Sequence, residues 1–329
     1  MSFKLNLDFG STLAQASQNT LNPEIVYDIL VVGGGPAGLN AALYASRKGL
    51  TTGILTKRKG GQILDTSDVD NYLGIKSISG EGLVHEFLSH VDQNNIPVLS
   101  DVEVLGITTE AGVHSLSLDS GEIYRAKSLI VATGSKPRTL GVPGESEYSG
   151  KGVSYCAICD GPFFKGREVF VAGGGNSAAE AAIDLAKVAS KVTIVHRSQF
   201  RSDKVLTDQL YSNPKISVML GTTITEVLGD GTFKGLKARD NSTGEEKTIP
   251  GDGLFVEIGH DPYTGPFGKI LHLNSHGEII VSQKNETNVP GIFAAGDVTE
   301  VPYKQIVIAA SDGAKAALSA SEYLNRLKA

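Results

Sequence analysis

Two glycine-rich turns, each set between an apolar strand and an apolar-faced helix, constrain this chain more than any other feature. From Tyr27 the sequence reads YDILVV, GGGPAG, LNAALYASRKG and TTGILT: a buried strand, a turn, a helix with one apolar face, and a second strand. From Arg167 the pattern returns as REVFVA, GGGNSA, AEAAIDLAKVA and KVTIV. Strands joined through a helix must run parallel, so each unit seeds a parallel sheet with helices against it. With 329 residues the chain exceeds the size at which one hydrophobic core stops growing, and two domains are expected.

Each glycine of the first turn has a physical task in the G-x-G-x-x-G spacing. Gly33 permits the tight turn, Gly35 lets a pyrophosphate approach the backbone, and Gly38 allows the helix to pack closely on the strand. The free N–H groups at the helix start then favour an anion. The acid usually expected about 20 residues on is absent: the second strand ends at Thr56, followed by Lys57, Arg58 and Lys59. A hydroxyl or backbone group must meet the ribose, and this half alone is compatible with a flavin or a nicotinamide dinucleotide. The second turn, Gly173, Gly175 and Ala178, is the G-x-G-x-x-A variant. Its ribose end carries His196, Arg197 and Arg201, and guanidinium groups there suit a 2′-phosphate, which favours NADPH over NADH.

The remaining elements are read more coarsely. Residues 1–26 form a polar arm without sustained periodicity, 82–94 a helix, 102–108 and 123–132 strands, and 216–256 a run of short strands. A strand over 291–295 precedes Gly296-Asp297 and a helix from about Gln305 to the C-terminus. Thirty basic against 36 acidic side chains give a formal charge of -6, the wrong sign for a nucleic-acid partner. No apolar run is long enough to cross a bilayer and the N-terminus lacks a secretory leader, so a cytoplasmic location is expected.

Cys156 and Cys159 are the only cysteines, too few for a disulfide scaffold or a four-cysteine zinc site. Spaced as C-x-x-C, they would close a loop too small to add much stability, so the pair reads as redox chemistry. One thiol would attack a partner and the other resolve the mixed disulfide. Asp160 next to them is a candidate acid or base, and equally a turn or helix-capping carboxylate. No metal site is expected.

Taken in order, these motifs resemble the low-molecular-weight thioredoxin reductase family and the related flavoprotein part of alkyl hydroperoxide reductases. The likeness runs from about Tyr27 to Leu327 through GGGPAG, KGGQ (59–62), DNYLG (70–74), VATGS (131–135), CAICD, GGGNSA, HRSQFR and FAAGDV (293–298). It implies an α/β fold of two Rossmann-like, three-layer ββα nucleotide-binding domains: 1–140 and 261–329 as a discontinuous FAD domain, with 141–260 as the NADPH domain carrying the cysteines. It further implies FAD held by Gly33, Gly35, Pro36, Ala37, Gly38, Thr56, Gly61, Gln62, Asn71, Thr133, Gly134, Gly296, Asp297, Gln305 and Ile306. The nucleotide would be held by Gly175, Asn176, Ser177, Ala178, His196, Arg197 and Arg201. A homodimer, and rotation of the middle domain about hinges near Gly141–Gly144 and Gly259–Pro262, belong to the same implication.

Electrons would then pass from NADPH through FAD to Cys156–Cys159 and on to thioredoxin or a thioredoxin-like protein. Two departures bear on this. Ser198 stands where the family usually has a second arginine, which weakens the preference for NADPH and keeps NADH open as donor, and the arm before Tyr27 is longer than the common form. YCAICDGPFFKG and VPYKQIVIA also resemble the peroxidase-reductase branch, which keeps a glutaredoxin-like or peroxidase acceptor open. A redox sensor without turnover is the rival of another class.

Overall fold

The structure of the chain, a computed structural model, describes residues 20–66 and 68–327. Most of the arm expected over 1–26 therefore lies outside the described residues. Near its end Leu21 is buried and packs onto Gly53.

In the first part of the chain β1 (Val26–Val32) runs into the turn, α1 (Pro36–Arg47) leaves it, and β2 (Thr52–Leu55) returns parallel to β1. A small hairpin of β3 (Asp68–Val69) and β4 (Ile78–Ser79) leads into α2 (Gly80–Gln93), capped by the Ser79 hydroxyl accepting from the Gly82 N–H. β5 (Val98–Leu99) extends the sheet beyond β2, while β6 (Val104–Glu110) and β7 (Val113–Leu118) form an antiparallel meander. β8 (Ile123–Val131) then lies parallel to β1 on its other side.

Past β9 (Ser135–Pro137) a second sheet is built in the same way. It takes β10 (Val153–Ser154), the short helix α3 (Ala157–Asp160), β11 (Glu168–Ala172), α4 (Asn176–Val188), β12 (Lys191–Val195), α5 (Lys204–Ser212) and β13 (Ile216–Met219). An antiparallel layer follows, β14 (Thr222–Asp230), β15 (Thr232–Asp240) and β16 (Glu246–Pro250), and β17 (Gly253–Val256) re-enters the parallel sheet between β10 and β11. The chain leaves through β18 (His260–Pro262), which pairs antiparallel with β9, adds β19 (Ile292–Ala294) parallel to β8, and ends in α6 (Ile306–Leu327). The seven-stranded sheet thus draws strands from both ends of the chain, and the five-stranded parallel sheet, order β10-β17-β11-β12-β13, draws only from its middle.

The alternation of side chains along the central strands explains the layers. Ile29 and Val31 of β1 face a core shared with α1 and α6, whereas Leu30 and Val32 face the opposite core with Leu116, Leu118 and Phe267. β11 behaves alike: Val169 and Val171 meet α4, and Phe170 and Ala172 meet the β14–β16 layer. Burial on both faces is why these strands read as unbroken apolar runs. Each fully buried Leu, Ile or Val contributes about 1.5–3 kcal/mol relative to exposure. On the helix side the seam is built from alanines of α1 and α6, and a Cβ on Gly313 would lie 2.0 Å from the Ala37 carbonyl. That close approach presses α6 against the first turn of α1 and fixes the residues between β19 and α6 over the first glycine turn.

Residues 141–144, near which one hinge is expected, are held to the middle part of the chain. The Leu140 and Gly141 N–H groups donate to the Glu145 carboxylate at 2.9 and 2.8 Å, and a Cβ on Gly144 would sit 2.1 Å from the Val227 carbonyl. The two crossings between the sheets are the β9–β18 ribbon, extended by Arg138 N–H to the Gly259 carbonyl at 3.0 Å and by an Arg138–Asp261 ion pair at 2.7 Å. Among the described residues no helix is long and apolar enough to cross a membrane.

Candidate active site

The first glycine turn is a cradle with two closed sides and one open. Gly33 has φ +121°, and a Cβ there would lie 2.1 Å from the Ala132 carbonyl, while a Cβ on Gly38 would lie 1.9 Å from the Gly33 carbonyl. Gly35, by contrast, faces open space, and Gly61 approaches it from across that gap. Pro36 opens α1 and Ala37 follows, with no acidic side chain in the first turn to compete with a phosphate. Thr56 is buried at the end of β2, its hydroxyl donating to the Arg58 carbonyl at 3.1 Å, which closes the ribose end of the turn. Thr133 and Gly134 follow β8; the Thr133 hydroxyl donates to the Tyr263 carbonyl at 2.8 Å, and Gly134 has open space beside it.

Gly296 and Asp297 lie over the start of α1, where a Cβ on Gly296 would meet the Ala37 Cβ at 2.9 Å. The buried Asp297 Oδ1 has no hydrogen-bond partner among the described residues. Burial lifts its carboxyl to about 6, with Lys304 opposing and Asp312 and Glu278 reinforcing the rise. An orphaned buried carboxyl at the edge of an anion cradle fits a ligand that brings hydroxyl groups. Further along the cleft the Gln62 amide donates to the Ser135 carbonyl, and the Asn71 amide to Gln305 Oε1 at 3.2 Å. Ile306 starts α6 and packs beside Ile63, Val69 and Leu83.

The cysteines meet this cleft. Cys156 and Cys159 form a disulfide, and Cys156 caps α3 by accepting from the Cys159 N–H at 3.2 Å. The Gln305 side-chain amide, from just before α6, lies 3.7 Å from Cys156 Sγ and 3.8 Å from Cys159 Sγ. A side chain just before α6, from the part of the chain that builds the seven-stranded sheet, therefore touches both sulfurs at α3, in the middle part that builds the five-stranded one. Asp160 ends α3; burial raises its pKa, a Ser154 hydrogen bond opposes this, and the Asp68 charge adds to the rise. A carboxyl whose protonated form burial favours, next to Cys159 in the chain, is a candidate proton donor to a departing thiolate.

The second glycine turn repeats the first with one substitution. A Cβ on Gly173 would lie 2.3 Å from the Glu257 carbonyl and 2.6 Å from the Ala178 Cβ, so Ala178 fits where the first turn needs Gly38. Gly175 again faces open space, and Asn176, Ser177 and Ala178 open α4 with no acid in its first turn. The Asn176 side chain exchanges two hydrogen bonds with Asp203, at 3.0 and 2.8 Å, which anchors the start of α5 beside the turn. His196 is buried against Gly174 and bonded to the Ser198 hydroxyl at 3.1 Å; burial, then the charge of Arg201, lowers its pKa. Arg197 and Arg201 are exposed at the rim and have no ion-pair partner among the described residues, while Arg201 N–H donates to the Gly174 carbonyl at 2.7 Å.

Two features of the site have no signal in the sequence. The motifs place Gln305 only along the outer cleft, and its contact with the sulfurs depends on folding across 146–149 residues. Glu257, at the end of β17, belongs to no motif yet accepts from the Ala157 N–H at 3.3 Å. Its neighbours Gly259 and His260 carry only the expectation of a hinge.

A family profile described as pyridine nucleotide-disulphide oxidoreductase matches residues 27–313. The F component of alkyl hydroperoxide reductase in Pseudomonas putida is 47% identical over 94% of this chain and 60% of its own length. The chain spans about three-fifths of the length of the curated relatives it matches. Among solved structures, thioredoxin reductase from Streptococcus pyogenes is 38% identical over 92% of this chain and 99% of that one, with a TM-score of 0.87. The T. acidophilum thioredoxin reductase is 39% identical over 92% and 100%, yet its TM-score is 0.63.

Proposed function

The chain belongs to the pyridine nucleotide-disulphide oxidoreductase family, whose members use FAD and NAD(P)H, and from that premise we propose that it is an NADPH-dependent thioredoxin-disulfide reductase. The observation that carries the reading is the Cys156–Cys159 disulfide held against Gln305 at the head of the outer cleft. When bound, FAD accepts hydride from the nicotinamide and supplies two electrons to sulfur.

The chain's own residues hold and orient. The glycine turn and α1 take the FAD pyrophosphate, and Asp297 meets hydroxyls of the ribityl chain, which completes its unpaired oxygen. Gln62, Asn71, Gln305 and Ile306 line the way to the ring, with Thr56, Thr133 and Gly134 toward the adenosine side. Gln305 keeps both sulfurs facing the cleft. As two electrons enter the S–S bond and break it, Asp160 gives a proton to one sulfur; the other, as thiolate, attacks the disulfide of a thioredoxin-like acceptor. Gly175 to Ala178 hold the NADPH pyrophosphate, and Arg197 and Arg201 its 2′-phosphate.

The disulfide and the nicotinamide turn ride on one sheet, so they reach the ring in turn only if that sheet rotates. We place the moving body at 141–260 and the FAD-binding body at 1–140 with 261–329. That two relatives of like identity and coverage superpose so differently on this chain, 0.87 against 0.63, supports a reading in which the two bodies can stand at different angles. The family likeness supports a homodimer, which sedimentation of the flavin-loaded protein tests.

The Pseudomonas putida likeness favours a second acceptor, a peroxidase component, and Ser198 favours NADH as second donor. Anaerobic mixing with each nucleotide, followed by a panel of thioredoxin-like and peroxidase acceptors, separates these readings. The flavin should bleach faster with NADPH and re-oxidise with a thioredoxin-like protein. Bleaching without turnover on any acceptor would make the protein a sensor.

A further inference from the structure

Glu257 stands between the two redox elements of the inner sheet and takes no part in the roles above. Its backbone is fixed by the ladder, since its N–H donates to the Ala172 carbonyl at 2.8 Å, and its carbonyl is the surface on which Gly173 of the nucleotide turn rests. Its carboxylate reaches the opposite way, to the Ala157 N–H at 3.3 Å. Ala157 is the first residue of α3, directly after the Cys156 cap. That N–H, at the start of a single helical turn, has no partner within the turn, and Glu257 satisfies it one peptide from Cys156.

We propose that Glu257 is a positioning residue for the redox turn: it holds Ala157 in register with the nucleotide turn, and its negative charge suppresses formation of the Cys156 thiolate in the reduced enzyme. This deepens the reading of Cys156–Cys159 as the redox pair and rests on it. The physical basis is proximity in a partly enclosed site. An anion one peptide from the sulfur repels a second negative charge, so the thiol loses its proton only at a higher pH than it would beside a neutral Glu257. Burial lifts the carboxyl to about 7, and the Ala157 hydrogen bond only partly opposes this. The elements around it carry Asp160 on α3, Glu180, Asp184 and Lys187 on α4, Glu168 on β11 and Lys191 on β12, with His196 and Arg201 beyond β12; none of them contributes to the rise of Glu257. Its charge therefore changes within the working pH range, and with it the reactivity of the sulfur.

The flavin-loaded protein, reduced anaerobically with a small dithiol and freed of it, can be alkylated with iodoacetamide at about pH 5.5–9, a range that contains the ordinary thiol pKa of about 8.5. Wild type should show a two-step profile. E257Q, whose amide oxygen can still accept from Ala157, should react about three- to tenfold faster near pH 8, with the advantage disappearing below about pH 6, where wild type is neutral as well. Glu257→Met gives the same charge comparison if the glutamine variant does not accumulate. A single-step wild-type profile, superimposable profiles, or a change equal at every pH would overturn the proposal, the last because it marks a purely structural effect. Neither nicotinamide nor a protein acceptor enters this measurement. Failure of the reductase reading would instead show as flavin that does not bleach with either nucleotide.

Discussion

Asp297 shows how a single residue can cost stability so that a ligand can be held. Its carboxyl has an ordinary pKa of 3.8 in the unfolded chain and about 6 in the folded one. Between those values the native state keeps a proton that the unfolded state has lost, so stability falls as pH rises through that window, and above about 6 the full penalty is present. Two units correspond to about 3 kcal/mol as an upper bound. D297N in the flavin-free protein should therefore melt about 3 °C or more above wild type near pH 8, and the gap should close as pH falls toward about 4, read by thermal unfolding across pH. The same variant should bind FAD at least about tenfold more weakly, because the lost carboxylate is the acceptor for the ligand's hydroxyls. A wild type as stable at that alkaline pH as D297N would show that Oδ1 is already satisfied.

At the level of elements, the first strand, turn and helix separate two jobs that glycine performs. Gly35 has φ −83°, which alanine adopts without strain, and its side-chain position is empty; Gly38 has no such room. G35A should leave the melting temperature of the flavin-free protein within about 1 °C of wild type yet purify colourless, since its methyl fills the space facing Gly61. G38A should lose both flavin and several kcal/mol of stability, through a clash with the Gly33 carbonyl that no rotamer relieves. Absorbance at the flavin band and a melting curve distinguish the two. This is also where the sequence was most legible: an unbroken apolar run leading into a fixed glycine spacing and then a helical period leaves one solution, and β1–α1–β2 and β11–α4–β12 follow it. Strands such as β7, sandwiched between two turns in an antiparallel meander, carry no comparable signature. Glu257 was invisible for a stronger reason. Its meaning depends on β17 lying beside β11 and below α3, a juxtaposition created by a crossover through the β14–β16 layer and unrecorded in the residues around it.

For the whole molecule, the consequential fact is that both crossings between the sheets form one two-stranded ribbon, β9 with β18, while the segments on either side are tied down. A ribbon of three residues a side, closed by an exposed Arg138–Asp261 pair worth at most about 1 kcal/mol, can twist without unfolding either sheet. As the structure stands, the sulfurs are half-buried against Gln305, so a protein acceptor needs the inner body turned away from the outer one. Every complete cycle on the proposed mechanism then contains two large displacements through solvent, whereas electron passage into the disulfide contains none. Turnover with a protein acceptor should accordingly fall in proportion to solvent viscosity, with a slope near one, when sucrose or glycerol is added. Single-turnover opening of the disulfide in prereduced enzyme should be unaffected by the same additions. Equal insensitivity of both would mean that the two bodies do not move against each other, and the acceptor would have to reach Cys156 and Cys159 where they now lie.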